Sequence, residues 1–221
     1  MRTFLELTRA GMPPLPPDMA DDDVRFPESL VAHFVAAFTA HGMVVFDPFA
    51  GYGTTLRVAE RMGRQGWGLE YDARRAAFAR IGLAAPERLI HGDARALGAY
   101  DVPPVDLALS SPPYMLREDL ENPLTAYTTP GAGYAAYLRD LQAVYRDLAG
   151  RLAPDGRVVI EVANLKSAAG VTPLAWDVAR HVGDVMAFEG EVVIGWDDYG
   201  YGYDHSYALV FRARDAGDPG G

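Results

Sequence analysis

Met43-Val44-Val45-Phe46-Asp47-Pro48-Phe49-Ala50-Gly51-Tyr52-Gly53-Thr54-Thr55 is the stretch that decides the fold. A short apolar run ending on an acid reads as a strand buried on both faces. The glycines after it permit a tight turn and a close backbone approach to a ligand. The residues from Thr54 to Met62 open a helix whose N-terminus faces the turn. Read as G-x-G-x-x-G, the segment carries Leu56 in place of the third glycine, and it lacks the lysine of a phosphate loop. Taken alone it also reads as a plain strand-to-helix connection.

Working outward, the alternation repeats. Upstream, Leu30, Val31, Phe34, Val35 and Phe38 recur at helical spacing and predict a helix over Glu28–Ala40. Downstream, Gly66–Glu70 reads as a strand and Asp72–Ala84 as a helix, with Asp72 as N-cap. Arg88–His91 and Asp106–Ser110 read as further strands. A long loop over Pro112–Gly133 precedes a helix over Tyr134–Leu152. Pro154-Asp155-Gly156 turns the chain into a strand at Arg157–Val162, and a helix follows over Thr172–Val182. Strands near Glu191–Trp196 and Tyr207–Arg212 have only a loop between them, so they pair antiparallel. The pattern predicts a doubly wound α/β domain, its sheet mainly parallel with a C-terminal antiparallel hairpin. One domain over residues 25–214 accounts for it. Residues 1–24, proline-rich then acidic, read as an extended arm, poorly ordered or draped over the domain, and residues 215–221 as a disordered tail.

Composition narrows the chemistry. The 221 residues contain no cysteine, which excludes disulfides, thiolate metal sites and cytosine C5 methylation through a cysteine nucleophile. Zinc deaminases are excluded with them. His33, His41, His91, His181 and His205 are scattered without metal-helix spacing, so no metal site is expected. The net charge of −10 opposes tight independent duplex binding, because phosphate contacts supply most non-specific affinity. The basic residues are nineteen Arg and a single Lys, Lys166. No apolar run reaches the roughly 20 residues of a membrane span, and no signal-peptide pattern opens the chain, so a cytoplasmic protein is expected.

In doubly wound sheets, ligands bind outside the carboxyl ends of the strands near the switch in strand order. Asp47 ends one strand and Glu70 the next, seventeen positions after Gly53. A carboxylate at Glu70 suits ribose hydroxyls, or else is a solvated acid in a turn. Gly92-Asp93 ends the third strand, where Asp93 suits an adenine amino group. Ser111-Pro112-Pro113-Tyr114 ends the fourth, as a rigid turn or a catalytic loop.

Together these motifs resemble the amino-methyltransferases of the DNA N4-cytosine and N6-adenine type. Asp47–Thr55 is similar to their cofactor motif, Ser111–Tyr114 to their catalytic tetrad, and Phe26-Pro27-Glu28-Ser29-Leu30 to the segment preceding the cofactor loop. His205–Arg212 is similar to the closing strand of small members. The likeness spans about residues 25–212. It implies a Rossmann-like methyltransferase fold, S-adenosylmethionine as cofactor, and no covalent intermediate. It further implies that Phe26, Pro27, Asp47, Phe49, Ala50, Gly51, Gly53, Thr54 and Thr55 belong to the cofactor site, with Glu70, Tyr71, Asp93, Ala94 and Ser110. Ser111 and the Pro112 carbonyl would accept hydrogen bonds from an exocyclic amine. Pro113 would help lock that backbone, and Tyr114 would stack on the base.

The expected substrate is cytosine N4 in DNA. An RNA base, another base amine, or a cofactor-binding subunit with a specificity partner are the alternatives, and a homodimer is admitted. A nicotinamide dehydrogenase is opposed by the missing glycine and by the tetrad. Two departures stand out. Tyr52 replaces a small serine, and only 58 positions separate Gly53 from Ser111, which leaves no room there for a recognition domain. Two aromatic groups are candidates for substrate contact or for plain packing. One is Tyr127, Tyr134 and Tyr137, in or near a loop that would close over the substrate. The other is Trp196, Tyr199, Tyr201 and Tyr203 in the hairpin loop.

Overall fold

The computed structural model describes residues 2–9, 15–17, 19, 25–125, 133–200 and 202–215, with backbone only at 198–200. In chain order the elements are β1 (Phe4–Leu7), α1 (Glu28–Phe38), β2 (Val44–Asp47), α2 (Thr54–Arg61), β3 (Gln65–Glu70), α3 (Ala73–Ile81), β4 (Leu89–His91) and β5 (Val105–Ser110). They continue with α4 (Gly133–Ala149), β6 (Leu152–Val162), β7 (Leu165–Ser167), β8 (Gly170–Thr172), α5 (Leu174–Gly183), β9 (Ala187–Gly200) and β10 (Tyr203–Arg212).

The main sheet runs β1-β9-β10-β6-β5-β2-β3-β4. Only β10 is antiparallel to its neighbours, so the predicted mainly parallel sheet with a terminal hairpin is what forms. Chain order reverses between β2 and β5, which puts the switch crevice between the loops after Asp47 and after Ser110. Side-chain alternation divides the core. Val45, Leu107, Leu109, Val159 and Val210 face Leu30, Val31 and Phe34 of α1. Phe46, Ala108, Val158, Ile160 and Leu209 face Leu138, Leu141 and Tyr145 of α4 and Val178 of α5. Among the described residues, no helix is long and apolar enough to cross a membrane.

The start of the N-terminal arm packs along the sheet. Residues 4–7 are an edge strand, in register with Val193–Trp196 of β9, and Leu5 is buried among Val192 and Ile194. An unpaired edge carries backbone donors and acceptors that a neighbouring extended segment satisfies. Much of the proline-rich and acidic remainder, and residues 216–221, lie outside the described residues. The terminal hairpin is also longer than expected, with β9 reaching Gly200 and β10 starting at Tyr203. Pro154-Asp155-Gly156 sits inside β6 as an irregularity, where the register jumps from Val105↔Leu152 to Leu107↔Arg157 and Asp155 takes a φ of 64°. A small β7–β8 hairpin follows β6, without an apolar run to announce it.

Candidate active site

The glycine turn is tied to the end of β3 by a buried carboxylate. Glu70, 7 % exposed, accepts the Gly51 N–H at 2.7 Å and the Asp72 N–H at 2.8 Å, and the Ala50 N–H donates to the Leu69 carbonyl. Burial pushes the Glu70 carboxyl up, and these backbone donors oppose the rise. Asp47 is buried too. One oxygen accepts the Phe49 N–H at 3.0 Å and the other the Thr55 hydroxyl at 2.6 Å. With so few donors, burial pushes its carboxyl up to about 7. Gly53 caps α2 at φ 78°, and a Cβ there would stand 3.0 Å from the Ala79 methyl, so both backbone and packing ask for glycine.

Tyr52, where a small residue was expected, is 3 % exposed and stands edge-on to Phe78. Arg25 and Arg75 lie over its ring at 6.0 and 5.5 Å. The bulk therefore organises two cations beside the turn rather than obstructing it.

Asp93 follows β4. The Gly92 N–H donates to the Glu70 carbonyl, and the Asp93 N–H donates to the Tyr100 hydroxyl at 3.0 Å. The Asp93 carboxylate lines the cavity, caps the next turn through the Arg95 N–H and meets the Arg95 guanidinium at 2.7 Å. Burial would raise this carboxyl, but the bonds to Arg95 outweigh it and hold it below the usual range.

The tetrad leaves β5 at the switch point. The buried Tyr137 of α4 donates its hydroxyl to the Pro113 carbonyl at 2.8 Å, which anchors the turn that the two prolines stiffen. Tyr137, expected near the loop and within the helix, is thus an anchor of the turn from inside α4. Part of that loop is pinned: Met115 and Leu124 are buried, and Asn122 accepts the Leu124 N–H and donates to Asp140. Tyr127 and Tyr201 lie outside the described residues, as does the side chain of Tyr199. Tyr134 donates to Asp177 at 2.9 Å.

Tyr114 donates its hydroxyl to Glu161 at 3.0 Å, and Glu161 is 3 % exposed. The last Cα pair between β5 and β6 is Ser110↔Ile160, so Ser111 and Glu161 stand side by side at the carboxyl ends of adjacent strands. Sequence reading passed over Glu161. The available signal was a lone acid in the apolar run Val158-Val159-Ile160-Glu161-Val162.

These groups surround a cavity of about 730 Å³, within the range of small-molecule sites. Of the expected cofactor residues, Phe26, Pro27, Asp47, Phe49, Ala50, Gly51, Thr54 and Thr55 line it, with Glu70, Tyr71, Asp93 and Ala94. Ser111, Pro112, Pro113 and Tyr114 line it as well. Gly53 and Ser110 do not. Gly53 packs on α3, and the Ser110 hydroxyl turns into the core to meet the Tyr145 hydroxyl at 3.1 Å. The lining also includes residues that were not anticipated: Arg9, Arg25 and Arg75 as cations, and Glu161, Leu165 and Lys166 near the tetrad; the hairpin candidate Trp196 lines it too. Trp196 is buried, and its indole N–H donates to Ser206 at 2.9 Å, so it packs into the wall.

Comparison with known proteins agrees with this architecture. Residues 22–80 match the DNA methylase family of the N6/N4 type. Among solved structures, a TehB-like SAM-dependent methyltransferase from Corynebacterium glutamicum is similar at 16 % identity. The alignment covers 89 % of this chain and 93 % of that one, with a TM-score of 0.57. An rRNA methylase from Streptococcus thermophilus is similar at 12 % identity, over 87 % and 99 % of the two chains, with a TM-score of 0.56. The magnesium protoporphyrin IX methyltransferase from Synechocystis, crystallised with bound SAM, is similar at 15 % identity over 84 % and 77 %, with a TM-score of 0.53. The fold is the Rossmann-like fold of SAM-dependent methyltransferases.

Proposed function

We propose, from a family match to the DNA N4/N6 amino-methyltransferases, that this chain transfers a methyl group from S-adenosylmethionine to an exocyclic base amine, cytosine N4 in DNA. The observation that carries the reading is one cavity holding both the Glu70-strapped glycine turn and the Ser111–Tyr114 tetrad.

The residues present fit the cofactor. Its adenosine end needs carboxylate and backbone partners, which Glu70, Tyr71, Asp93 and Ala94 supply. Its methionine end carries a carboxylate and an ammonium, which suits Arg9 and Arg25 beside Phe26-Pro27 and the acid Asp47. When bound, the cofactor supplies an electrophilic methyl on a sulfonium.

The chain's own contribution is alignment and charge. The Ser111 hydroxyl and the Pro112 carbonyl accept from the amine, which draws its nitrogen toward a pyramidal form with the lone pair localised. The Tyr137 bond to Pro113 keeps that backbone aimed. Tyr114 offers its ring to the base while its hydroxyl stays on Glu161. Methylation would leave the amine nitrogen positive until it gives up a proton to solvent. Ser111 is neutral, so the adjacent Glu161 carboxylate is the negative charge that stabilises this step. The 58 positions from Gly53 to Ser111 leave no room there for a recognition segment.

The test offers tritiated cofactor with duplex DNA, single-stranded DNA and ribosomal RNA, and identifies the methylated nucleoside. N4-methylcytosine in DNA is expected, and its disappearance in Ser111→Ala and Tyr114→Ala with cofactor affinity retained. Label in N6-methyladenine overturns the base assignment, and label confined to RNA overturns the choice of DNA.

A further inference from the structure

Beyond the cavity, the hairpin β9–β10 carries a row of rings that the proposed reaction does not use. Tyr203, His205 and Tyr207 alternate along β10 and so share one sheet face. Their rings touch edge-on, Tyr203 to His205 at 5.4 Å and His205 to Tyr207 at 5.3 Å, and His205 Nε2 lies 3.0 Å from the Tyr207 hydroxyl. Tyr207 meets Trp176 of α5 at 4.7 Å, and Trp176 is 46 % exposed. At the other end Lys166, the sole lysine, holds its ammonium 4.1 Å over the Tyr203 ring and lines the cavity. Tyr207 pairs with Val162 near the carboxyl end of β6, so Tyr203 and His205 continue past that edge, on the side where the cavity opens. Arg180 is exposed one helical turn beyond Trp176.

We infer that this row is a stacking ledge for the single-stranded DNA that flanks the target base, entering the cavity past Lys166. The inference rests on the proposed reaction for its choice of DNA. A large exposed indole continuous with partly exposed aromatic rings offers π-faces to successive bases. The charges beside it are mixed. Lys166 and Arg180 are basic, while Asp204 bonds to His205 Nδ1 at 3.0 Å and Glu191 acts electrostatically on Tyr207. That balance, in a chain of net charge −10, suits a strand held by stacking with a few phosphate contacts and disfavours a duplex held by its phosphates.

The test measures fluorescence anisotropy of a labelled mixed-sequence DNA 12-mer on the full chain with S-adenosylhomocysteine. The same sequence as duplex DNA and as single-stranded RNA runs alongside. Trp176→Ala and His205→Ala are each expected to weaken the single-stranded DNA by roughly tenfold, the loss of one stacking platform. Lys166→Ala should weaken it with a smaller salt dependence. Trp176→Phe is expected to retain binding, and thermal melting of every variant should match the wild type. Wild-type affinity in Trp176→Ala and His205→Ala overturns the ledge, as does a preference for the duplex or for RNA. Failure of the reaction reads differently. Were no base methylated while Trp176→Ala still lost affinity, the ledge would stand without the chemistry. A trinucleotide methylated equally by wild type and Trp176→Ala, with the 12-mer slowed only in the variant, supports both.

Discussion

The Tyr114 hydroxyl donates to the buried Glu161 carboxylate across 3.0 Å, joining the Ser111–Tyr114 turn after β5 to the end of the neighbouring strand β6. A buried carboxylate is costly unless its hydrogen bonds and its function warrant it. In the proposed reaction it would stand beside the amine nitrogen that becomes positive, which would give its charge a use.

Glu161→Gln keeps an acceptor for Tyr114 and removes the charge. Turnover is expected to fall on the order of a hundredfold, as for other lost transition-state electrostatics. Cofactor affinity by calorimetry should stay unchanged. Tyr114→Phe should lose less, because the ring still stacks. Wild-type kcat in Glu161→Gln would mean the carboxylate only orients the phenol.

Glu70→Ala removes an acceptor shared by the Gly51 and Asp72 N–H groups. Each orphaned donor costs about 1–3 kcal/mol. The variant should both melt several degrees earlier and bind S-adenosylmethionine more weakly. Calorimetry beside a thermal melt separates the two effects. Weak binding with an unchanged melting temperature would mean that Glu70 does not hold the turn.

Asp47 sets a pH dependence of stability. In the folded chain its proton is held up to about 7, whereas an unfolded Asp releases it near pH 3.9. Between those values the native state binds more protons, so this group's contribution falls as pH rises from about 4 to 7 and is then flat. Asp47→Asn, neutral throughout, should be more stable than the wild type at pH 8, by a few kcal/mol at most. The gap should close toward pH 4. A constant gap across that range in urea titrations would remove Asp47 as its source.

Gly53→Ala places a side chain at φ 78° against Ala79. The left-handed conformation costs roughly 1–2 kcal/mol, and the contact adds to it. A melting temperature lower by several degrees is expected. A melt identical to the wild type would show that the turn relaxes without cost.

Where the sequence speaks, it speaks locally. Runs such as Val44–Asp47 and Val105–Ser110, the glycine turn, and the N-cap Asp72, which accepts the Arg74 and Arg75 N–H groups, follow from the conformational preferences of a few adjacent residues. Helical connections make the joined strands parallel, and the order they take in the sheet brings Asp47, Glu70, Asp93 and Ser111 together at the carboxyl ends of the strands. What tertiary structure alone decided are pairings between distant positions. Glu161 reaches Tyr114 because the register of β6 on β5 sets it beside Ser111. Tyr137 reaches Pro113 because α4 packs across the sheet, and it would otherwise read as one apolar position of a helix. Phe4–Leu7 is a strand only because β9 presents an open edge for it. Local pattern reports what a segment prefers; register and packing, set by the whole sheet at once, decide which side chains meet.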